Sequence, residues 1–423
     1  MYPHKSDAIR TGFGSRAMAL GGAYTAISDD GSATYYNPAG IANPKKAGVV
    51  LGFAYVTSNL SIQGKPIPLL APSAMTAAVR GKIPFGGILK DRIAVGIGMY
   101  LPIWAVARIR GRKLEEPFFP LFNDQMNRSV FLPTIAVSIL DGLSVGFGLN
   151  VFTAVHGQVK GVEGATRGIE TEISEKLTTV VSWQAGVHFR PTSSLRLGFC
   201  FRQEFDLPFT SPISTSIQGN DLKLELALRT IYTPPEFALG VAYQVLSSLL
   251  WSLDVRYSLW SRYPSAYINV KAQLPIELFG NKLQADILPS IPEPQFSNTV
   301  AVHTGGEYTA RLLPTLNLLL RLGYSFENTP LPEQSGRTNM VDGNKHTVSL
   351  GLGLSSKHFP NHPISLDLHG QVLFFSEHIS KKKTALLPDD SPEKGFQTQN
   401  PGYPTLQGGG QIITVGTTLR LGF

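Results

Sequence analysis

At 423 residues the chain is long enough for two or three soluble domains or for one large barrel. Only 16% of residues are charged, 42 are Gly and 10% are aromatic. No uninterrupted apolar run is long enough for a membrane-spanning helix, so a helical membrane protein is excluded. The net charge of +7 comes without a zinc finger, an RNA-binding motif or a basic helix, which argues against nucleic acid and leaves anionic surfaces or ligands. The single cysteine, Cys200, excludes an intrachain disulfide framework and reads as a small strand residue.

Residues 1–46 do not alternate, are rich in small residues and carry few charges, so they are neither a solvated tail nor a disordered linker. Ahead of a barrel, such a segment fits as a plug in the lumen. Ala17 to Ile27, preceded by Arg10 and Arg16, has the look of a signal h-region, but Gly21-Gly22 interrupts it and no small-residue cleavage site follows. The chain therefore reads as a mature protein with its signal removed and a start methionine supplied. Asn37-Pro38 sets a turn, and Gly40 permits positive φ or close backbone approach.

From residue 47 onward the pattern changes to period two, the spacing of strands whose faces meet different solvents. Runs lie at 47–60, 73–84, 91–102, 129–140, 143–157, 177–190, 195–205, 236–246, 249–260, 298–311, 314–327, 345–356, 364–374 and 411–423. In the last, Ile413, Val415, Leu419, Leu421 and Phe423 share one face and Thr414, Gly416, Thr418, Arg420 and Gly422 the other. About fourteen strands of this length suffice to cross a bilayer when tilted. The mean hydropathy near zero agrees, because lipid-facing and lumen-facing residues cancel.

Long connections (103–128, 158–176, 207–235, 263–297, 328–344, 378–410) alternate with short ones such as Leu140-Asp141-Gly142, Leu246-Ser247-Ser248 and the corner from Arg311 to Pro314. A soluble sandwich or propeller shares the period but has no reason to keep that rhythm. The expected fold is all-β: a 14-stranded antiparallel transmembrane β-barrel (47–423) with an N-terminal hatch (1–46) in its lumen. The rhythm puts both termini in the periplasm and pairs the last strand with the first. Pro84 to Gly87 and Pro102 are either breaks in the wall or ordinary strand ends.

The run Gly21-Gly22-Ala23-Tyr24-Thr25-Ala26-Ile27-Ser28-Asp29-Asp30-Gly31-Ser32-Ala33-Thr34, followed by Asn37-Pro38-Ala39-Gly40, resembles the hatch of the FadL/TodX outer-membrane transport family. Pro235-Glu236 through Trp251, Asp254, Tyr257 and Trp260-Ser261 is similar to the family's central strand pair. Gly323 to Pro330, through Asp342 and His346, resembles its following strand–loop–strand, with Glu327 where Asp is commoner. The resemblance implies a fourteen-stranded barrel with a hatch, located in the bacterial outer membrane. It also implies passive uptake of long-chain fatty acids, hydrocarbons or similar apolar molecules (in crystals, detergent), with lateral exit through the wall. Phe423 fits the C-terminal signal read by the barrel-assembly machinery. The alternative is a FadL-like barrel acting as a docking or assembly component of a surface secretion or envelope complex.

Candidate ligand-binding residues lie in loop 103–128: Trp104, Phe118, Phe119 and Phe122, with Arg108 and Arg110 to attract a carboxylate. They form either an exposed capture surface or the packing of that loop onto the barrel rim, its basic residues then meeting lipopolysaccharide. Tyr35, Tyr36, Asn37, Pro38, Ala39 and Gly40 are the expected gating residues, where the hatch shifts for ligand. Inward-facing Arg196, Arg202, Asp254, Arg256, Asp367, His369 and Arg420 are expected to form a polar network joining hatch and wall. Lys381-Lys382-Lys383 reads as a solvated loop tip or a contact with lipopolysaccharide and outer-membrane lipid. No catalytic constellation, metal cluster or phosphate loop stands out, and His156, His188, His303 and His369 sit in strands without an obvious partner. The sequence therefore predicts no enzyme, metal or cofactor.

Overall fold

A computed structural model of the protein describes residues 12–43, 47–67, 73–103, 117–123, 129–163, 169–217, 220–264, 269–278, 281–286, 294–334, 338–356, 362–382 and 404–423. Fourteen strands form the wall: β1 Gly48–Ile62, β2 Ala74–Lys82, β3 Ile93–Pro102, β4 Val130–Leu140, β5 Leu143–Glu163, β6 Ile169–Phe189, β7 Leu195–Arg202, β8 Glu236–Leu246, β9 Leu249–Ser258, β10 Thr299–Leu313, β11 Leu316–Glu327, β12 Lys345–Ser356, β13 Ile364–Lys381 and β14 Thr405–Gly422. Each pairs antiparallel with its neighbour in the chain. The ring closes where β14 meets β1, from Gly48 opposite Gly422 to Ile62 opposite Gly408. Closure leaves no unpaired edge, which a lipid environment demands because it offers backbone groups no partner.

The alternation that identifies each strand has a direct physical cause. Along β12, Val348, Leu350, Leu352 and Leu354 are exposed on the outer face, and Lys345, Thr347, Ser349, Gly351 and Gly353 are buried inside. The outer face of the wall is a belt of large apolar side chains, among them Leu51, Phe53, Ile97, Leu239, Leu322 and Val415. On a soluble protein such a belt would aggregate; around a barrel it is the lipid contact. Among the described residues no helix is long and apolar enough to cross a membrane, so the crossing is made by strands.

Several expected loops are instead paired backbone. β5 and β6 run on, paired without a break, to Glu163 opposite Ile169. Segment 207–235 is largely a hairpin, Phe205–Ile217 against Asn220–Thr233, and 263–297 holds another, Asn269–Leu278 against Asn281–Asp286. These extensions escape a two-faced pattern because polar residues such as Glu170, Glu172 and Glu175 fall throughout them. A ladder satisfies backbone groups wherever it forms, whether or not one face meets lipid.

Residues 12–43 cross the interior of the ring. The short helix α1, Ser15–Ala19, packs against β11 to β14, and a 3₁₀ turn, Pro38–Ala42, packs against β2 to β6 on the other side. Between them lies α2, Ala33–Tyr36. After α1 the chain turns sharply through Gly21 and Gly22, both at positive φ, and a side chain on Gly21 would collide with the Tyr324 backbone.

Candidate functional site

The plug is joined to the wall around much of its circumference. Asp254 of β9 accepts from the backbone N–H groups of Tyr24 (3.0 Å) and Thr25 (2.9 Å). Arg256 donates to the Gly22 carbonyl (2.6 Å), and Arg202 donates to the Tyr35 carbonyl (2.7 Å) while its guanidinium lies over the Tyr35 ring. On β6, Gln184 donates to the Thr34 carbonyl, and the Val187 carbonyl accepts from Asn37. Three strand histidines bond the plug: His188 with the Ala26 carbonyl, His303 with the Gly21 carbonyl and His369 with the Ser15 hydroxyl. Partners that the sequence did not show are thus plug backbone or hydroxyl groups, which have no fixed spacing to the strands.

Asn37 is fully buried and organises the plug's second half. Its amide donates to the Thr25 and Val187 carbonyls, and its Oδ1 accepts from the Ala39 N–H, capping the 3₁₀ turn. Gly40 serves by close approach, since a side chain there would enter the Ser28 backbone. Where the plug passes nearest the wall, the wall is stripped to glycine: Gly305 and Gly323 face Leu20 and Gly21, and Gly198 faces Thr25.

A charge network runs through the centre. Arg16 binds both carboxylate oxygens of Glu307 (2.7 and 2.8 Å) and one of Asp29 (2.6 Å). Arg321, buried completely, bridges Glu307 (2.6 Å) and Asp367 (2.7 Å), and Arg420 joins Asp367 (2.8 Å) to Asp30 (3.6 Å). Arg196 holds the other oxygen of Asp29 at 3.2 Å. Burial alone would raise the Asp29 pKa, but the guanidinium groups of Arg16 and Arg196 outweigh it and hold the carboxyl below its usual range. Burial pushes the Tyr36 hydroxyl well above its ordinary value, so it stays protonated and accepts from the Phe13 N–H.

Above the plug is a cavity of about 200 Å³, floored by Met18, Gly22, Tyr35 and Tyr36 and roofed in part by Phe122, Tyr232 and Trp260. Its roof belongs to a buried cluster of outer-loop aromatics, in which Phe375 packs on Phe119 and Phe122 and the Tyr263 ring stacks on Phe296 at 4.4 Å. Phe118 exchanges backbone hydrogen bonds with Asn339 and Val341, linking two outer loops into one cap. Phe118, Phe119 and Phe122 are therefore interior to the cap, on the barrel rim, and do not form an exposed surface. Trp104, Arg108 and Arg110 lie outside the described residues. Lys382 is no solvated loop tip: its ammonium is buried and donates to the Thr338 carbonyl and the Asn339 side chain. Lys383 lies outside the described residues.

Of the inward residues picked from sequence, Asp367 and Arg420 meet directly, and Arg202 pairs with Glu236. The central members Arg16, Asp29, Asp30, Glu307 and Arg321 were missed as a site. The signal for one pair was present: Glu307 and Arg321 stand opposite each other across the hairpin that turns at Pro314-Thr315. Among the described residues, no group of His, Cys, Asp and Glu is placed to hold a metal.

Comparison with known proteins agrees with this architecture. The family model described as outer membrane protein transport protein (OMPP1/FadL/TodX) matches residues 9–385. Outer membrane protein P1 of Haemophilus influenzae is 23% identical over 423 aligned positions, covering 85% of this chain and 85% of the relative. The solved structure of a Pseudomonas aeruginosa FadL homologue covers 100% of this chain and 99% of its own, with a TM-score of 0.56 at 16% identity. That of the P. putida toluene transporter TodX covers 97% and 99%, with a TM-score of 0.55 at 14% identity. A plugged, closed, fourteen-stranded wall and a match over most of its length lead to one conclusion: this chain belongs to the OMPP1/FadL/TodX family of outer-membrane transport proteins.

Proposed function

We propose that the protein is a passive channel for hydrophobic small molecules, fatty acids or hydrocarbons, which enter through the aromatic cap, rest in the cavity above the plug and leave sideways through the wall. The observation that carries this reading is the cavity itself, enclosed between an aromatic roof and a plug whose Tyr35 and Tyr36 rings form part of its floor. Solved family members whose names describe a toluene transporter and a monoaromatic hydrocarbon channel support the ligand class. Tyr35 to Gly40 are the proposed moving part, and Arg196, Arg202, Asp254, Arg256, Asp367, His369 and Arg420 its anchors. Trp104, Arg108 and Arg110, proposed from the sequence alone, attract and capture ligand, and basic residues of the same loop also meet lipopolysaccharide. The ring of Phe423, half exposed at the end of β14, is the contact for the assembly machinery.

The test is delivery of toluene, or separately of fluorescent dodecanoate, into the lipid of reconstituted vesicles. Delivery by the unmodified chain, lost when Asn37 to Gly40 are replaced by a Gly-Ser linker, supports the reading. A chain that delivers neither probe and co-purifies with a stable protein partner refutes it and favours the docking role.

A further inference from the structure

Three short turns of the wall share one construction. Ile139-Leu140-Asp141-Gly142-Leu143, Val245-Leu246-Ser247-Ser248-Leu249 and Leu312-Leu313-Pro314-Thr315-Leu316 each place two apolar residues before a two-residue tip and a leucine after it. In all three the ladder skips one residue, Ile139, Val245 or Leu312, before its last pair: Leu140 with Leu143, Leu246 with Leu249, Leu313 with Leu316. Strict alternation would turn one of two consecutive side chains into the lumen. The bulge inserts an extra residue, and both apolar side chains stay outside. Ile139, Leu140, Val245, Leu246, Leu312 and Leu313 are all between 44% and 62% exposed. Turn tips that face water ordinarily carry polar residues, so three leucine-edged hairpins point to a different surrounding.

The β2–β3 connection adds to them: Ile88 is 87% exposed, with Phe85 and Leu89 exposed beside it. Backbone hydrogen bonds tie these turns into one rim, Ser138 to Arg92, Arg190 to Gly142, Gln244 to Ser194 and Thr309 to Ser248. The rim continues the lipid-facing belt, because Ile139, Val245 and Leu312 stand on the strand faces that carry Ile135, Tyr243 and Tyr308 further into the wall. It is also basic. Lys90, Arg92, Arg190 and Arg311 are exposed along it, with Lys82 half-buried, against Asp91 and Asp141.

We propose that this rim is an anchor for anionic phospholipid: the leucine tips lie in the acyl-chain boundary of the leaflet at the short-turn end, and the basic side chains beside them bind lipid phosphates. Long cationic side chains keep their stems along apolar surface while their charged ends reach the head groups. The phosphates balance the excess of cations that Asp91 and Asp141 leave, and the attraction acts within a Debye length of the membrane surface. This role does not depend on what passes through the lumen. It sets the depth at which the barrel sits and selects the lipid around its short-turn end.

The test reads the tips in nanodiscs of phosphatidylcholine and phosphatidylglycerol. In a Cys200→Ser background, Leu140→Cys, Leu246→Cys and Leu313→Cys each carry a bimane label. Leu352→Cys is the lipid-facing reference, and Ser193→Cys, in a polar turn, the water-facing one. The tip labels are expected to follow Leu352→Cys, quenched by brominated acyl chains and shielded from iodide. The unmodified barrel is expected to immobilise spin-labelled phosphatidylglycerol several-fold more than spin-labelled phosphatidylcholine. Lys90→Gln/Arg190→Gln/Arg311→Gln, or high salt, should abolish that preference. All the substituted tip and basic positions are exposed, and heat-modifiable gel mobility verifies that each variant wall is folded. Tip labels quenched by iodide as Ser193→Cys is overturn the anchor and leave the tips to a soluble partner. Equal immobilisation of the two lipids, or a preference unchanged in the triple variant, overturns the anionic-lipid site.

Discussion

The plug holds the wall through guanidinium–carboxylate pairs and side chains bonded to its backbone, whereas the cap holds together mainly through aromatic rings. Lys382 and the buried Lys345–Asp342 pair brace the cap, but they sit around an apolar centre. The difference bears on what a hydrophobic ligand can displace. Against the cap it replaces ring contacts with contacts of its own, at little net cost. Against the plug it has nothing to offer a buried carboxylate or an orphaned N–H. In the proposed channel, one closure thus yields to the ligand and the other resists it, which favours the sideways exit proposed above. The floor is also uneven. On β5 to β14 the plug is bonded mainly through polar side chains, and on β1 to β4 it packs largely through Val50, Ala78, Ala94 and Ala136.

The contrast is tested most severely at Arg321. Arg321→Leu leaves Glu307 and Asp367 buried without their shared partner, and a broken buried pair costs about 3–5 kcal/mol. Thermal unfolding in detergent should fall accordingly, and an unchanged midpoint would break the claim that the floor rests on charge. Asp254→Ala strands the Tyr24 and Thr25 N–H groups, each unsatisfied group costing about 1–3 kcal/mol. The expected outcome is a wall that stays folded around a loosened plug, read as faster thiol labelling of a Cys introduced at Ala26.

Acid provides a graded version of the same experiment. Because the folded Asp29 pKa lies below its ordinary 3.8, its bonds with Arg16 and Arg196 are complete above that pH. They weaken as pH falls further, through the lowered folded value. Pepsin cleavage within the plug, a readout that operates in acid, should therefore rise only below about pH 3.8, and Asp29→Asn should remove the part of that rise due to this carboxylate. The smallest effect on the barrel is expected at the cap. Phe122→Ala should leave the unfolding midpoint of the wall unchanged and speed ligand entry. A large fall in the midpoint would show that cap and wall are one cooperative unit.

The wall was legible because lipid forces an apolar residue onto every second position, and that pressure writes itself into runs such as Val348 to Leu354. The extension of β5 and β6 beyond the wall was not legible, since polar residues throughout it blur the period. The network was legible in half. Arg420 and Asp367 declared themselves as charges on an inward face. The plug groups that the wall's polar residues meet, carbonyls, amides, the Ser15 hydroxyl and the charges of Arg16, Asp29 and Asp30, lie in a segment without period, and nothing in the sequence sets its register against fourteen strands. The wall glycines that receive the plug, such as Gly305 and Gly323, read as ordinary strand residues until the backbone beside them is seen.

The bonds of Ser15 have a consequence in time. Its N–H donates to Thr418, 403 residues along the chain, and its hydroxyl meets His369, 354 residues away. Contacts so distant in sequence form late, because the whole intervening chain must first be ordered. The plug, although it precedes every strand of the wall in the chain, is thus among the last segments to reach its place. Until β14 arrives beside β1, one side of the plug has no surface on which to dock. Locking the floor and sealing the wall become a single final event, and a chain cut short before Thr418 would lose both together.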